Sequence, residues 1–260
     1  MSETVKVEKA GAITKLVLNR PAAYNALDAE MVEALATSLT TLARDDTVRG
    51  LVITGAGKAF CSGGDLRWVT AHPQGAAGAF HALAARFHLA VLEIRRMAKP
   101  VVAALNGVAA GGGFSLALAC DFRVMAESAV LRQAYTASGL SIDGGGTFTL
   151  PRLVGGARAL EIVAFDPPIP ARQALEWGLA TKVASDGTVV DEAVALSARI
   201  AAGSLHSYGL SKRLLGGAFD TPLEAQLERE REALVACGAH ADGQEGLRAF
   251  GEKRKPSFSR

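Results

Sequence analysis

Short apolar runs alternate with amphipathic segments along the first half of the chain. Val5–Glu8 and Ile13–Leu18 alternate apolar and polar residues around one glycine, which predicts a β-hairpin. Gly50–Gly55 (GLVITG) and Pro100–Leu105 (PVVAAL) are almost continuously apolar, which is typical of strands buried on both faces. Asp121–Glu127 (DFRVMAE) predicts a third strand of this group.

Segments with apolar residues at helical spacing lie between and after these strands. Asp28 is the expected N-cap of a first helix, because acidic residues follow it in the first turns. Gly78–Met97 predicts a long helix and Phe114–Cys120 a short one. Beyond about Thr147 the pattern is almost wholly helical. The layout therefore predicts an α/β core followed by a helical C-terminal part.

Length and composition limit the class of protein. A chain of 260 residues fits one large domain, or a core with an appended helical segment. Hydrophobic residues make up 49% and charged residues 21%, which is globular composition. The net charge is +2 with both signs interspersed, so no nucleic-acid surface is expected. The basic cluster at Glu252–Arg260 is the exception, and by default it is a solvated tail.

Cysteine usage and the N-terminus bear on the cellular compartment. Cys61, Cys120 and Cys237 are scattered and form no CxxC pair, which suits a reducing cytoplasm. The N-terminus MSETVKVEKA has no apolar core of a signal peptide, and no uninterrupted apolar run reaches membrane length. We therefore expect a cytoplasmic protein that binds no membrane.

Two glycine-rich loops follow the buried strands. FCSGGD follows GLVITG, and AAGGGF follows PVVAAL. Neither loop has the GxGxxG spacing of a dinucleotide site or the GxxxxGK spacing of a phosphate loop. Glycines that only allow close packing would explain one such loop. If both strands lie in one sheet, however, the loops converge, and one backbone N–H from each could form an oxyanion hole.

A serine hydrolase is a weaker alternative for the second loop. The segment GFSLA differs by one residue from the GxSxG elbow of α/β hydrolases, with Ser115 as nucleophile and His206 or His240 as base. The predicted strand ends at Leu105, eight residues before this segment, so the turn is not tight. Both histidines also lie in helical patterns, which favours surface or packing roles for them.

Six blocks of the sequence resemble the crotonase, or enoyl-CoA hydratase/isomerase, family along nearly the whole chain. They are NRPAAYNALD (19–28), KAFCSGGDL (58–66) and the segments 99–127, 139–155, 174–183 and 245–258. The resemblance implies an α/β spiral of ββα units over residues 1–200 and a helical trimerisation region over residues 201–260. It also implies a homotrimer or dimer of trimers, an acyl-CoA thioester substrate, and neither a metal nor a redox cofactor.

The resemblance also assigns roles to individual residues. The two oxyanion N–H groups fall on Gly64 and Gly112. Phe250 and Lys253 match positions that meet coenzyme A from a neighbouring subunit, with Lys253 near a phosphate. The positions that match the channel for coenzyme A are Ala22, Ala23, Tyr24, Ser62, Asp65 and Leu66. The variable segment 72–87 is expected to shape the acyl pocket.

The chain departs from typical hydratases of the family at three positions. Ser115 and Tyr135 replace the two glutamates that hold and activate water, so both are expected to shape the substrate pocket instead. Asp143 stands where hydratases have glycine. Family members with an acid there include dienoyl-CoA isomerases, a ring-epoxide isomerase of phenylacetate breakdown and chlorobenzoyl-CoA dehalogenases. Asp143 would also suit a turn or helix cap before GGGTFTL.

These departures favour an isomerase. Asp143 would move a proton between two carbons of an acyl-CoA while Gly64 and Gly112 hold the thioester oxygen, so that a double bond migrates or a ring epoxide opens. An enoyl-CoA hydratase remains an alternative, and so does a crotonase-fold protein that binds acyl-CoA without turnover. Asp143 is the residue that separates these readings, because an oxyanion hole without a base has no way to move the proton.

Overall fold

Ten strands form two β-sheets within residues 4–258, the part of the chain that the computed structural model describes. They are β1 (Val5–Ala10), β2 (Ile13–Leu18), β3 (Gly50–Gly55), β4 (Ala59–Cys61), β5 (Val101–Leu105), β6 (Val108–Ala110), β7 (Phe122–Ala126), β8 (Val130–Arg132), β9 (Ile169–Pro170) and β10 (Lys182–Ala184). The larger sheet has the order β1-β2-β3-β5-β7-β10 and the smaller one β4-β6-β8-β9. Neighbouring strands run parallel except in the pairs β1–β2 and β8–β9.

The helices pack around these sheets. They are α1 (Ala29–Arg44), α2 (Leu66–Thr70), α3 (Gly75–Arg96), α4 (Gly112–Ala119), α5 (Gly146–Val154), α6 (Gly156–Phe165), α7 (Ala171–Glu176), α8 (Val189–Ala201), α9 (Leu205–Gly217), α10 (Leu223–Ala239) and α11 (Ala241–Gly251). Helix α8 packs on β3, β5 and β7, and α1 packs against α3. The strands β3 and β5 form the centre of the hydrophobic core, because both are buried along their whole length.

A ββα unit repeats through the core. β3 and β4 lead to α2 and α3, β5 and β6 lead to α4, and β7 and β8 lead to α5. In each unit the first strand belongs to the larger sheet and the second to the smaller one. The chain therefore winds between the two sheets as a spiral, as the sequence resemblance implied.

Several predicted elements are confirmed by this architecture. The hairpin β1–β2 turns at Gly11, whose φ of +65° is one that glycine adopts without strain. Asp28 caps α1, because its side chain accepts the Met31 N–H at 2.9 Å. The predicted helices are found, although α3 begins at Gly75 and α4 at Gly112, slightly before their predicted starts.

Two predictions about strands need correction. β5 ends at Leu105 as predicted, but a further strand, β6 (Val108–Ala110), lies between it and the GFSLA segment and stops at the turn into α4. The region beyond Thr147 also contains β9 and β10, and β10 extends the larger sheet by parallel pairing with β7. These strands have two or three residues each, which is too short to show a periodic pattern in sequence.

A buried ion pair joins the C-terminal helices to the core. Lys212 of α9 lies 2.7 Å from Asp121, which immediately precedes β7, and both side chains are almost fully buried. The Lys212 ammonium also donates to the carbonyl oxygens of Ile94 and Lys99. Burial lowers the pKa of Lys212, and the Asp121 carboxylate opposes that shift. Removal of either partner would leave a buried charge without its counter-ion.

Helix α10 has no buried residue within the described chain and packs against α9 and α11. Large apolar side chains are exposed along this region, including Phe219, Leu223, Leu227 and Leu234.

The C-terminal tail is less free than predicted. Arg254 is exposed, as a solvated tail predicts, but it is also bonded to Glu245 at 2.6 Å and to Glu252 at 2.5 Å. Lys255 is exposed as expected. Arg260 lies outside the described residues.

Among residues 4–258, α3 alone is long and apolar enough to span a membrane by length and composition. Its inner face instead packs against α1 and the core.

Candidate active site

A cavity of about 410 Å³ lies between α3 and the two glycine-rich loops. One stripe of α3 forms an apolar wall through Phe80, Leu83 and Phe87. Leu27 and Val32 also line the cavity. The predicted variable segment 72–87 therefore does contribute to a pocket, through residues spaced three and four apart on one helix face.

The two glycine-rich loops meet at this cavity. Their preceding strands β4 and β6 are parallel neighbours in the smaller sheet, so the loops leave the sheet at the same edge. At Gly63, where φ is +100°, a Cβ atom would lie 2.9 Å from the Ala110 oxygen and 3.2 Å from the Gly112 nitrogen. The two backbones are therefore in contact, and only glycine fits at position 63.

Close packing explains some of the glycines but not all of them. At Gly113 a Cβ atom would lie 2.1 Å from the carbonyl oxygen of Cys61, so a side chain there would push the loops apart. Around Gly64, in contrast, nothing lies within 4 Å of the Cβ position. Gly64 faces open space in the cavity wall, where its backbone is accessible.

The N–H groups of Gly64 and Gly112 are available to a ligand. Leu27 bonds to the residues on either side of Gly64, accepting from Asp65 and donating to Gly63. Gly112 is the first residue of α4, where N–H groups have no intrahelical partner. Within residues 4–258 neither N–H donates to a backbone acceptor, and both residues line the cavity. Two backbone donors therefore border the same cavity.

Asp143 lines the same cavity and is paired with a histidine that the sequence reasoning missed. Its Oδ1 lies 2.6 Å from His88 Nε2, and the two side chains are 41% and 49% exposed. Asp143 is not the cap of α5, because that position is Gly145. His88 had no motif to mark it, since it lies on α3, 55 positions before Asp143.

Ser115 and Tyr135 hold the main chain of Asp143. Ser115 is fully buried, and its hydroxyl donates to the Asp143 carbonyl oxygen at 2.6 Å. The Tyr135 hydroxyl lies 3.2 Å from Ser115 Oγ and donates to the same carbonyl at 3.5 Å. Burial raises the pKa of Tyr135 to about 12, so the phenol stays protonated at neutral pH. Tyr135 also lines the cavity, whereas Ser115 lies behind its wall.

The remaining predicted substrate contacts lie in different settings. Ser62 and Leu66 line the cavity. Asp65 instead caps α2 and pairs with Arg20 at 3.0 Å. Ala22 and Ala23 belong to the 3₁₀ turn Pro21–Ala23.

Tyr24, Phe250 and Lys253 lie outside the cavity lining. The exposed Tyr24 joins the 3₁₀ turn to the first glycine loop, because its carbonyl accepts the Ser62 N–H at 3.0 Å. Phe250, 85% exposed on α11, and Lys253 do not line the cavity.

Ser115 has no hydrogen bond to a histidine within residues 4–258, so it lacks the base that a serine nucleophile needs there. Its hydroxyl bonds to Asp143 and Tyr135, and His206 stacks on His240 with ring centroids 4.0 Å apart. Cys61 precedes the first glycine loop, but burial raises the pKa of its thiol to about 12, which disfavours the reactive thiolate. No group of three His, Cys, Asp or Glu residues among the described positions could hold a metal ion.

Comparisons with known proteins agree with this fold. The sequence model of the family described as "Enoyl-CoA hydratase/isomerase" matches residues 8–260. The chain is 40% identical over 254 residues to a "1,2-epoxyphenylacetyl-CoA isomerase" of Escherichia coli (strain K12), covering 97% of this chain and 96% of the relative. It is 31% identical to a "4-chlorobenzoyl coenzyme A dehalogenase-2" of Arthrobacter sp, covering 97% and 92% of the two chains. Among solved structures, an enoyl-CoA hydratase from Polaromonas sp. JS666 superposes with a TM-score of 0.93 at 36% identity, covering 98% and 99% of the two chains.

Proposed function

The chain belongs to the enoyl-CoA hydratase/isomerase family, and we propose that it is an acyl-CoA isomerase that moves a double bond or opens a ring epoxide. One observation carries the proposal. Asp143 is the only carboxylate lining the cavity among the residues described, and the oxyanion donors line the same cavity. One carboxylate suffices to move a proton, whereas the hydration of typical family members uses two.

The proposed reaction is a proton shuttle. The thioester oxygen accepts hydrogen bonds from the Gly64 and Gly112 N–H groups, which stabilise the negative charge of the enolate. Asp143 takes a proton as a C–H bond of the acyl group breaks, and the electron pair moves onto the thioester carbonyl. The same carboxylic acid then protonates a different carbon, so the double bond is displaced and Asp143 returns to its ionised form.

The cavity lining supports an apolar or aromatic acyl group. Phe80, Phe87 and Tyr135 offer ring surfaces, and Leu83 and Leu140 add aliphatic surface. The relative named for 1,2-epoxyphenylacetyl-CoA is consistent with a substrate of this kind. The coenzyme A portion would leave the cavity past Ser62 and Leu66. We expect no cofactor beyond the coenzyme A of the substrate, and a cytoplasmic location.

Asp143→Asn tests the proposal. The variant should still bind a CoA thioester, because the backbone donors and the other residues that line the cavity are unchanged. It should lose about 10²–10⁴ in the rate of double-bond migration, which is the usual contribution of a general base. Asp46→Asn, an exposed carboxylate distant in sequence from the site motifs, is the matched control. Rapid hydration of an enoyl-CoA that survives Asp143→Asn would instead support a hydratase. Tight binding without turnover of any thioester would support a non-catalytic binding protein.

A second candidate, hydrolytic dehalogenation, is favoured by the His88–Asp143 pair and by the relative named a dehalogenase. The Asp143 carboxylate would attack the ring carbon that bears the halogen, and halide would leave with the bonding electrons. Water deprotonated by His88 would then hydrolyse the resulting ester and regenerate the carboxylate. Chloride release from 4-chlorobenzoyl-CoA would support this candidate over the isomerase.

A further inference from the structure

The Asp143 main chain is held through its carbonyl oxygen, and its carboxylate is held by His88. The carbonyl oxygen of Asp143 is held by Ser115 at 2.6 Å. At Gly144 a Cβ atom would lie 2.3 Å from Phe87 Cε1, so this backbone lies directly against the Phe87 ring. The carboxylate extends beyond this fixed frame and is 41% exposed. His88 is its sole side-chain partner among residues 4–258.

We propose that His88 is a positioning residue that holds the Asp143 carboxylate in its productive orientation, a role that rests on the proposed isomerase function. An ionised carboxylate only accepts hydrogen bonds, so the proton in the 2.6 Å contact belongs to His88 Nε2. Oδ1 is then occupied, and Oδ2 is left to act as the base. Without His88, the side chain of Asp143 is free to rotate towards solvent.

The placement of His88 suits this role. It follows Phe87, whose buried ring ties this turn of α3 to Gly144, directly after Asp143. The backbone that carries His88 is therefore held in place, and so is the backbone that carries the Asp143 carboxylate. A group held between two fixed points restricts the geometry of the reacting oxygen, and a misplacement of about 1 Å can cost about 10² in rate.

The pair contributes little to the fold. Half-exposed ion pairs generally add little to stability, because water screens them. Loss of His88 should therefore reduce catalysis while the protein stays folded, which separates positioning from a structural role.

The experiment uses the full chain and phenylacetyl-CoA in deuterated water as the probe. The exchange of the α protons, followed by NMR, reports enolate formation and does not require the natural substrate. The variants are His88→Leu, which removes the donor, and His88→Gln, whose amide nitrogen can replace Nε2. His81→Leu is the matched control, because His81 is an exposed histidine on α3 that does not line the cavity.

We expect His88→Leu to lower kcat for exchange by about 10–100-fold with KM within about twofold, since positioning acts on the reacting oxygen and not on binding. His88→Gln should recover most of the loss, and His81→Leu should match the wild type. In an Asp143→Asn background, His88→Leu should add no further loss, because the two residues act as one unit.

Two results would overturn the proposed role of His88 and leave the proposed isomerase function standing. One is a His88→Leu variant as fast as the wild type while Asp143→Asn is inactive. The other is a His88→Gln variant as slow as His88→Leu, which would mean that the donor is not what matters. Full exchange by Asp143→Asn, or a wild type that binds the probe without exchange, would overturn the proposed function and this role with it.

Discussion

Replacing Gly112 with proline would remove one backbone N–H from the cavity without deleting any side chain. Gly112 is the first residue of α4, the helical position that tolerates proline best. The preceding Gly111 has φ 52° and ψ −124°, outside the α region that a following proline disfavours. A Cβ atom at position 112 would come within 2.9 Å of Leu27 Cδ1, the end of a side chain that can move.

Gly112→Ala is the matched control for this variant. It introduces the same Cβ contact with Leu27 but keeps the N–H. Loss of a single oxyanion donor typically costs about 10²–10³ in kcat, or about 2.7–4 kcal/mol. The ratio of kcat between the alanine and proline variants should therefore be about 10²–10³, whatever the shared contact with Leu27 costs.

The assay is α-proton exchange of phenylacetyl-CoA, with binding measured by titration and folding by thermal unfolding. Binding should change little, because the donor acts mainly on the charge that develops in the enolate. A folded proline variant whose kcat lies within about threefold of the alanine variant would remove Gly112 from the oxyanion hole.

Two predictions concern the C-terminal helices. Because α10 buries none of its residues and exposes Leu223 and Leu227, we expect a trimer or dimer of trimers in sedimentation. Leu227→Glu should weaken this assembly. A stable monomer at micromolar concentration would contradict the prediction. Hydrogen bonds from Arg254, Arg248 and the Ser257 N–H hold the pKa of Glu245 far below its usual range. Because the pKa of Glu245 is lower in the folded state, its ionised carboxylate stabilises the tail at every pH above the ordinary glutamate pKa of about 4.3. This stabilisation is lost only as the pH falls from that value through the folded-state pKa. In the wild type, the tail should therefore resist limited proteolysis down to about pH 4. In Glu245→Gln, the tail should be cleaved already at neutral pH. Cleavage of the wild-type tail at neutral pH would contradict the pairing of Glu245 with Arg254.

The parts of the fold that the sequence predicted are those with a local cause. β3 and β5 are apolar along their length because both faces are buried, and Asp28 caps α1 through a contact three residues away. The smaller sheet could not be predicted in the same way. β4, β6 and β8 have three residues each, so their pairing depends on the neighbouring strands and leaves no period in the sequence.

The residues of the candidate site could likewise be predicted only where a local sequence pattern marks them. Paired glycine loops after buried strands predicted that the two loops would meet at one edge, and the family resemblance placed Gly64 and Gly112 in them; both residues line the cavity. Their catalytic roles stay predictions. His88 could not be found from sequence, because its contact with Asp143 joins positions 55 residues apart and depends on the rotation of α3. Such a contact is not visible in the sequence, because it is determined by how α3 packs on the 143–146 loop.

The serine at position 115 and the acid at position 143 are physically linked. Ser115 is enclosed by the loop that carries Asp143, since Cβ atoms at Gly144 and Gly146 would lie 3.1 Å from Ser115 Cβ and 2.8 Å from Ser115 Oγ. A glutamate at position 115 would need the space that this loop fills. Its carboxylate would also face the carbonyl oxygen of Asp143, which now accepts from Ser115. Two buried acceptors in contact repel each other and leave both without a donor. Because Ser115 anchors the main chain of Asp143, we expect its small hydroxyl to help orient Asp143, the base of the proposed reaction, and a glutamate at position 115 to disturb that orientation.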